Sequence, residues 1–151
     1  MRMPGRPYHL TDEASAAAIL RNGLRPLPPD EDMAQIRGAL DDARPPEYPA
    51  HSESVFFYPP DGPDPRGRTA IEAIPRRVPN ACVIADKALL DDVLDHRPGS
   101  EGERRVLAEY WRNAKMGSMG EVAAAEAGYR DPEIFCAGRV PPGALERRGR
   151  L

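Results

Sequence analysis

The chain has 151 residues, 40% of them hydrophobic, enough for one domain with a buried core, so a single domain spanning 1–151 is expected. Its formal net charge of −3 excludes the broad cationic footprint of a nonspecific nucleic-acid binder, though not a local basic patch. No apolar run approaches the ~20 residues of a membrane helix and no secretory leader opens the chain, which points to a cytoplasmic protein without a membrane partner.

Residues 6–10 (RPYHL) read as a short strand that ends on His9 and Leu10. Thr11 and Asp12 then offer N-cap oxygens to an alanine-rich helix that turns Ile19 and Leu20 inward and stops at Asn22-Gly23. A second helix is predicted at about 30–43, with Met33, Ile36 and Leu40 at helical spacing and Pro45-Pro46 as its stop. SVFFY, 54–58, is the clearest strand, dense in β-branched and aromatic residues. The stretch PPDGPDPRGR after it reads as a loop.

TAIEAIP (69–75) fits a short strand or a turn, and NACVIAD (80–86) a buried strand. KALLDDVLDHR is an amphipathic helix with Leu89, Leu90, Val93 and Leu94 inward, and ERRVLAEYWRNA (103–114) is another. KMGSMGEVAAAEAGYRD is ambiguous between loop and helix; PEIFCAG (132–138) reads as the last strand and RVPPGAL as a turn. Short strands and helices interleave without βαβ regularity, which gives an α+β class. Cys82 and Cys136 lie in apolar surroundings without metal-ligand spacing and read as free core residues. His51 and His96 have no second ligand at metal spacing, so no metal site is expected. Tyr110 and Trp111 read as helix core or a partner surface.

Three fragments, taken in order, carry a resemblance: YHLT with a helix ending ILRNGLRP, then SVFFYPP opening a loop, then PEIFCAGRVPPGAL near the end of the chain. Together they resemble the ADP-ribosyltransferase superfamily, which includes DNA-targeting ADP-ribosyltransferase toxins and NAD-using RNA 2′-phosphotransferases. The resemblance implies a split pair of small β-sheets with peripheral helices and a cleft that takes NAD as substrate. It also implies a macromolecular acceptor (DNA, RNA or protein) and, for a toxin, an antitoxin partner.

The implied chemistry breaks the bond between nicotinamide and ribose, so positive charge builds on the ribose as in glycoside hydrolysis. Glu133, which opens a strand after Asp131-Pro132, is the candidate catalytic carboxylate; Glu121 and Glu126 are rivals that do not begin strands. His9 would hydrogen-bond a ribose hydroxyl, against the plainer reading of a half-buried histidine bonded to backbone. Thr11 holds the cofactor or merely caps the helix. Tyr58 is placed to stack on nicotinamide, with Phe56 as the alternative. Arg66 and Arg68 are equivalent candidates for the pyrophosphate or an acceptor phosphate. Removal of an RNA 2′-phosphate ranks second, since no obvious set of arginines accompanies His9; a domain of this fold acting only as a binding module ranks third.

Overall fold

The computed structural model describes residues 5–27 and 31–149. Among the described residues seven strands form two antiparallel sheets. β1 (Tyr8–Thr11), β3 (Thr69–Ala73) and β7 (Leu145–Arg147) form the smaller sheet in the order β1-β3-β7. β2 (Ser54–Phe57), β4 (Cys82–Asp86), β5 (Lys115–Gly117) and β6 (Pro132–Ala137) form the larger, in the order β2-β6-β4-β5. With five helices around them among the described residues, the class is α+β.

The period of two along each strand explains how the larger sheet is covered on both faces. Val55 and Phe57 of β2, Cys82 and Ile84 of β4, and Ile134 and Cys136 of β6 point to one side. There they pack against Ile71, Ala73 and Leu145 of the smaller sheet, so one core serves both sheets. Val83, Ala85 and Phe135 point to the other side and meet three helices: α2 (Glu31–Asp42), α3 (Ala88–Val93) and α4 (Glu101–Asn113). β4, covered on both faces, is buried at every position, which is why its sequence is a nearly continuous apolar run.

Local signals set the helix ends. In α1 (Glu13–Asn22) the cap is Asp12, whose carboxylate accepts from the Ser15 N–H; Thr11 instead closes β1, paired with Thr69. Ser100 caps α4, and Ser118 with Glu121 forms a reciprocal capping box on α5 (Met119–Ala124), so the ambiguous segment is a short strand followed by a helix. In α2, Ile36 and Leu40 are buried as expected, whereas residue 30 and the side chain of Met33 lie outside the described part. Leu94, expected inward, is 66% exposed because α3 ends one residue earlier. RVPPGAL is only partly a turn: a single 3₁₀ turn at Pro142–Ala144 leads into β7.

Gly23 does more than end α1. Its φ of 88° and ψ of 172° fall in a region open essentially to glycine alone, and a Cβ there would sit 2.5 Å from the Val140 carbonyl oxygen. Leu24 and Val140 exchange backbone hydrogen bonds next to this point, at 2.9 and 2.8 Å. Gly23→Ala is therefore expected to cost about 2 kcal/mol or more, read as a lower urea midpoint.

Cys82 and Cys136 are a correction to the sequence reading. They lie directly opposite each other on β4 and β6, with Cα atoms 4.2 Å apart, and are joined as a disulfide; no described cysteine is free. Sequence spacing cannot show this, because the strand register brings together residues 54 positions apart. Among the described residues no helix is long and apolar enough to cross a membrane.

Candidate functional site

The two sheets join through a backbone pair between Tyr8 and Tyr58, whose N–H groups each donate to the other's carbonyl (3.1 and 2.7 Å). The two rings stack, with centroids 5.5 Å apart. Beside this junction lies a cavity of about 280 Å³. β1 contributes His9 and Leu10 to its wall, and the end of β2 contributes Phe56, Phe57 and Tyr58. Asp131, Pro132 and Glu133 face it from the start of β6. Segments far apart in the chain thus bring His9, Tyr58 and Glu133 to one hollow.

His9 is oriented by its backbone neighbour. Nδ1 lies 3.0 Å from the Phe56 carbonyl oxygen, which can only accept, so Nδ1 carries the proton. Burial lowers the imidazole pKa, Arg68 lowers it further, and the bond to Phe56 only partly opposes them. The ring is neutral at pH 7 and Nε2 is an acceptor, suited to a hydroxyl donor such as a ribose. The same shift makes stability depend on pH. A folded-state pKa below 6.5 means that the unfolded chain binds more protons as pH falls past that value. The melting temperature should drop as pH is lowered from about 6.5, and His9→Gln should flatten that part of the profile.

Glu133 is tied on one oxygen. Its Oε1 accepts from the Tyr110 hydroxyl at 2.7 Å and from His51 Nε2 at 3.3 Å, and its side chain is 13% exposed. Burial works against ionisation. The His51 contact, the Tyr110 bond and the charge of Lys87 outweigh it, so the carboxyl pKa lies below its usual value. Tyr110 moves the other way: burial and the adjacent carboxylate push its pKa well above 10.0, and it remains a donor.

Three cations face the same hollow. Arg37 of α2 lies over the Phe56 ring at 4.9 Å, Lys87 follows β4, and Arg68 precedes β3. No described carboxylate lies within ion-pair distance of any of the three. Of the two loop arginines, Arg68 reaches the cavity, whereas Arg66 sits in a turn at φ 42° and is not among the lining residues; nor is Thr11. Phe57 belongs to the core, while Phe56 and Tyr58 both remain at the cavity wall.

Compared with known protein families, curated proteins and solved structures, the chain matches none.

A second, larger groove of about 1370 Å³ shares Tyr58, Asp131 and Pro132 with the cavity and runs along the proline-rich loop toward α5. Its two described cations are engaged elsewhere, Arg6 with Glu146 and Arg130 with Asp86. Asp61, Glu126 and Asp131 have no described cationic partner, so the groove is acidic. Glu126 faces this groove, and Glu121 is occupied with its helix cap, so neither competes with Glu133 for the small cavity. Among the described residues no three His, Cys, Asp or Glu side chains gather in a way that could hold a metal ion.

Sequence reading missed Arg37, His51, Lys87 and the hydroxyl of Tyr110. A usable signal existed for Lys87 alone: it directly follows a strand that reads as buried, and a strand end is where site residues collect. Its backbone N–H donates to the Asp131 carbonyl at 2.8 Å, which seats it beside the start of β6.

Proposed function

We propose that the protein cleaves NAD at the nicotinamide–ribose bond and transfers ADP-ribose to a macromolecular acceptor. The observation that carries this reading is the convergence of His9, Tyr58 and Glu133 on one cavity together with three cations that no described carboxylate approaches within ion-pair distance. His9 Nε2 would accept from a ribose hydroxyl, and Tyr58 or Phe56 would lie against the nicotinamide ring. Arg37, Arg68 and Lys87 would balance the diphosphate, where guanidinium groups suit paired anionic oxygens.

When the bond between ribose C1′ and nicotinamide breaks, its electron pair leaves with the nicotinamide. Glu133 then stands as a fixed negative charge beside the cationic ribose. An acceptor nucleophile forms the new bond at C1′ and loses its proton to water. The acidic groove beyond Tyr58 would guide the acceptor; its carboxylates, which have no cationic partner among the described residues, favour a protein over a phosphate chain.

The deciding experiment incubates the protein with NAD labelled in the adenylate half and with protein, DNA and RNA offered separately. Nicotinamide release with label on protein supports the reading in full, and label on DNA or RNA corrects the acceptor alone. No release and no label would remove the reading and leave a binding module. Arg68→Ala is expected to weaken ADP-ribose binding about tenfold by calorimetry, with Arg66→Ala near wild type, because Arg68 alone of the two lines the cavity. Removal of an RNA 2′-phosphate stays the second reading, favoured by Arg37 and Arg68 converging beside His9. NAD-dependent loss of phosphate from a 2′-phosphorylated RNA would select it.

A further inference from the structure

We propose that His51 and Tyr110 are positioning residues that together occupy one oxygen of Glu133, holding the carboxylate ionised and presenting its other oxygen to the ligand. This inference rests on the NAD-cleavage reading for its consequence, not for its geometry. Both donors meet Oε1, and no described residue donates to Oε2. A carboxylate held on one side keeps a fixed direction, and a fixed charge costs no reorganisation when positive charge develops beside it.

The two donors are themselves held. The 3₁₀ turn His51–Glu53 is pinned to the end of α2, since the His51 N–H donates to Asp41 Oδ1 at 2.7 Å and Ser52 bonds the same carboxylate. His51 is 1% exposed, and its ring lies between Phe56 (4.7 Å) and Phe135 (5.1 Å). Tyr110 is fully buried on α4, its ring edge-on to Trp111, whose indole N–H donates to the Leu40 carbonyl at 2.9 Å. Neither ring can swing away without disturbing the core, so the direction of Glu133 is set by α2 and α4 rather than by its own strand.

Holding the carboxylate ionised also sorts its roles. A group that resists protonation is a weak general base and a strong electrostatic stabiliser. The other charged or titratable groups around the cavity it faces are Lys87 just after β4, Asp131 just before β6, and His9, Arg37, Tyr58 and Arg68. None of these donates to Glu133, so removing the Tyr110 hydroxyl tests the hold itself.

Tyr110→Phe removes one hydroxyl and keeps the packing, which makes it the informative variant. The first measurement needs no turnover: the side-chain carboxyl of Glu133, assigned with Glu133→Gln, is titrated by carbon NMR in both proteins. The carboxyl should titrate at higher pH in Tyr110→Phe, and an unchanged titration would overturn the hold. His51→Gln, which keeps an N–H donor, should restore what His51→Leu loses. If His51→Leu does not fold, Tyr110→Phe decides alone.

The second measurement is nicotinamide release. In Tyr110→Phe, kcat should fall roughly tenfold with KM for NAD little changed, and the acidic limb of the rate profile should move to higher pH. A raised titration in a protein that never cleaves NAD would uphold the hold and remove only the reaction. Release by Tyr110→Phe at the wild-type rate, with an unmoved acidic limb, would overturn the positioning role.

Discussion

Glu133→Gln is expected to lower nicotinamide release by about 10²–10³-fold while leaving the fold and NAD affinity largely in place. Glutamine has the same shape, and its carbonyl oxygen can accept from Tyr110 and His51 as Oε1 does now. What disappears is the negative charge. One unit charge about 4 Å from a developing cation, at an effective dielectric near 20, is worth about 4 kcal/mol, or roughly three powers of ten in rate. Glu133→Ala removes the same charge and also leaves Tyr110 without its carboxylate acceptor in the core, so it should add about 1–3 kcal/mol of destabilisation. The check pairs the release assay with a melting curve. A glutamine variant that turns over at the wild-type rate would remove Glu133 from the chemistry, whatever the rest of the cavity does.

How much of this was legible beforehand divides by range along the chain. His9, Tyr58 and Glu133 stand out only through the resemblance that three short fragments carry together, each fragment lying in or beside a strand whose pattern is local. Arg68 could not be separated from Arg66, since the distinction is made by the turn at Arg66 and Gly67, where both residues take positive φ. His51 reads as a polar residue ahead of a strand. It becomes a partner of Glu133 only because β2 pairs with β6, across 82 positions. The disulfide was hidden for the same reason: each cysteine shows the apolar neighbourhood of a free core residue, and the register between β4 and β6 supplies the pairing. β7 was missed because Leu-Glu-Arg is three residues with two exposed, and its strand character comes from the edge of β3 rather than from its own sequence. Periodic information sits in the sequence; pairing between strands does not.

Phe135→Ala should be the most destabilising single truncation in the core, by about 3–5 kcal/mol, and should disturb the site by the same act. Phe135 is fully buried on β6, on the face that meets α2, α3 and α4. Its ring lies 5.1 Å from His51, 5.8 Å from Phe56 and 6.3 Å from Trp111, so removing it opens a void bordered by two rings of the segment that enters β2 and one ring of α4. Such a void collapses poorly, which puts the cost toward the upper end of the range. Against a total stability of about 5–15 kcal/mol for a domain, that is a large share. The void also removes one wall of His51, freeing the ring that bonds Glu133. Phe135→Leu keeps most of the volume and should cost roughly 1–2 kcal/mol. Urea unfolding measures both, and nicotinamide release measured where each variant is fully folded separates loss of site from loss of fold. If the alanine variant lost less than about 1 kcal/mol, the face between β6 and the helices could not be packed as described. If instead it lost stability but cleaved NAD at the wild-type rate, the Phe56 ring and the backbone bond of His51 to Asp41 would suffice to seat the imidazole, and Phe135 would serve only the fold.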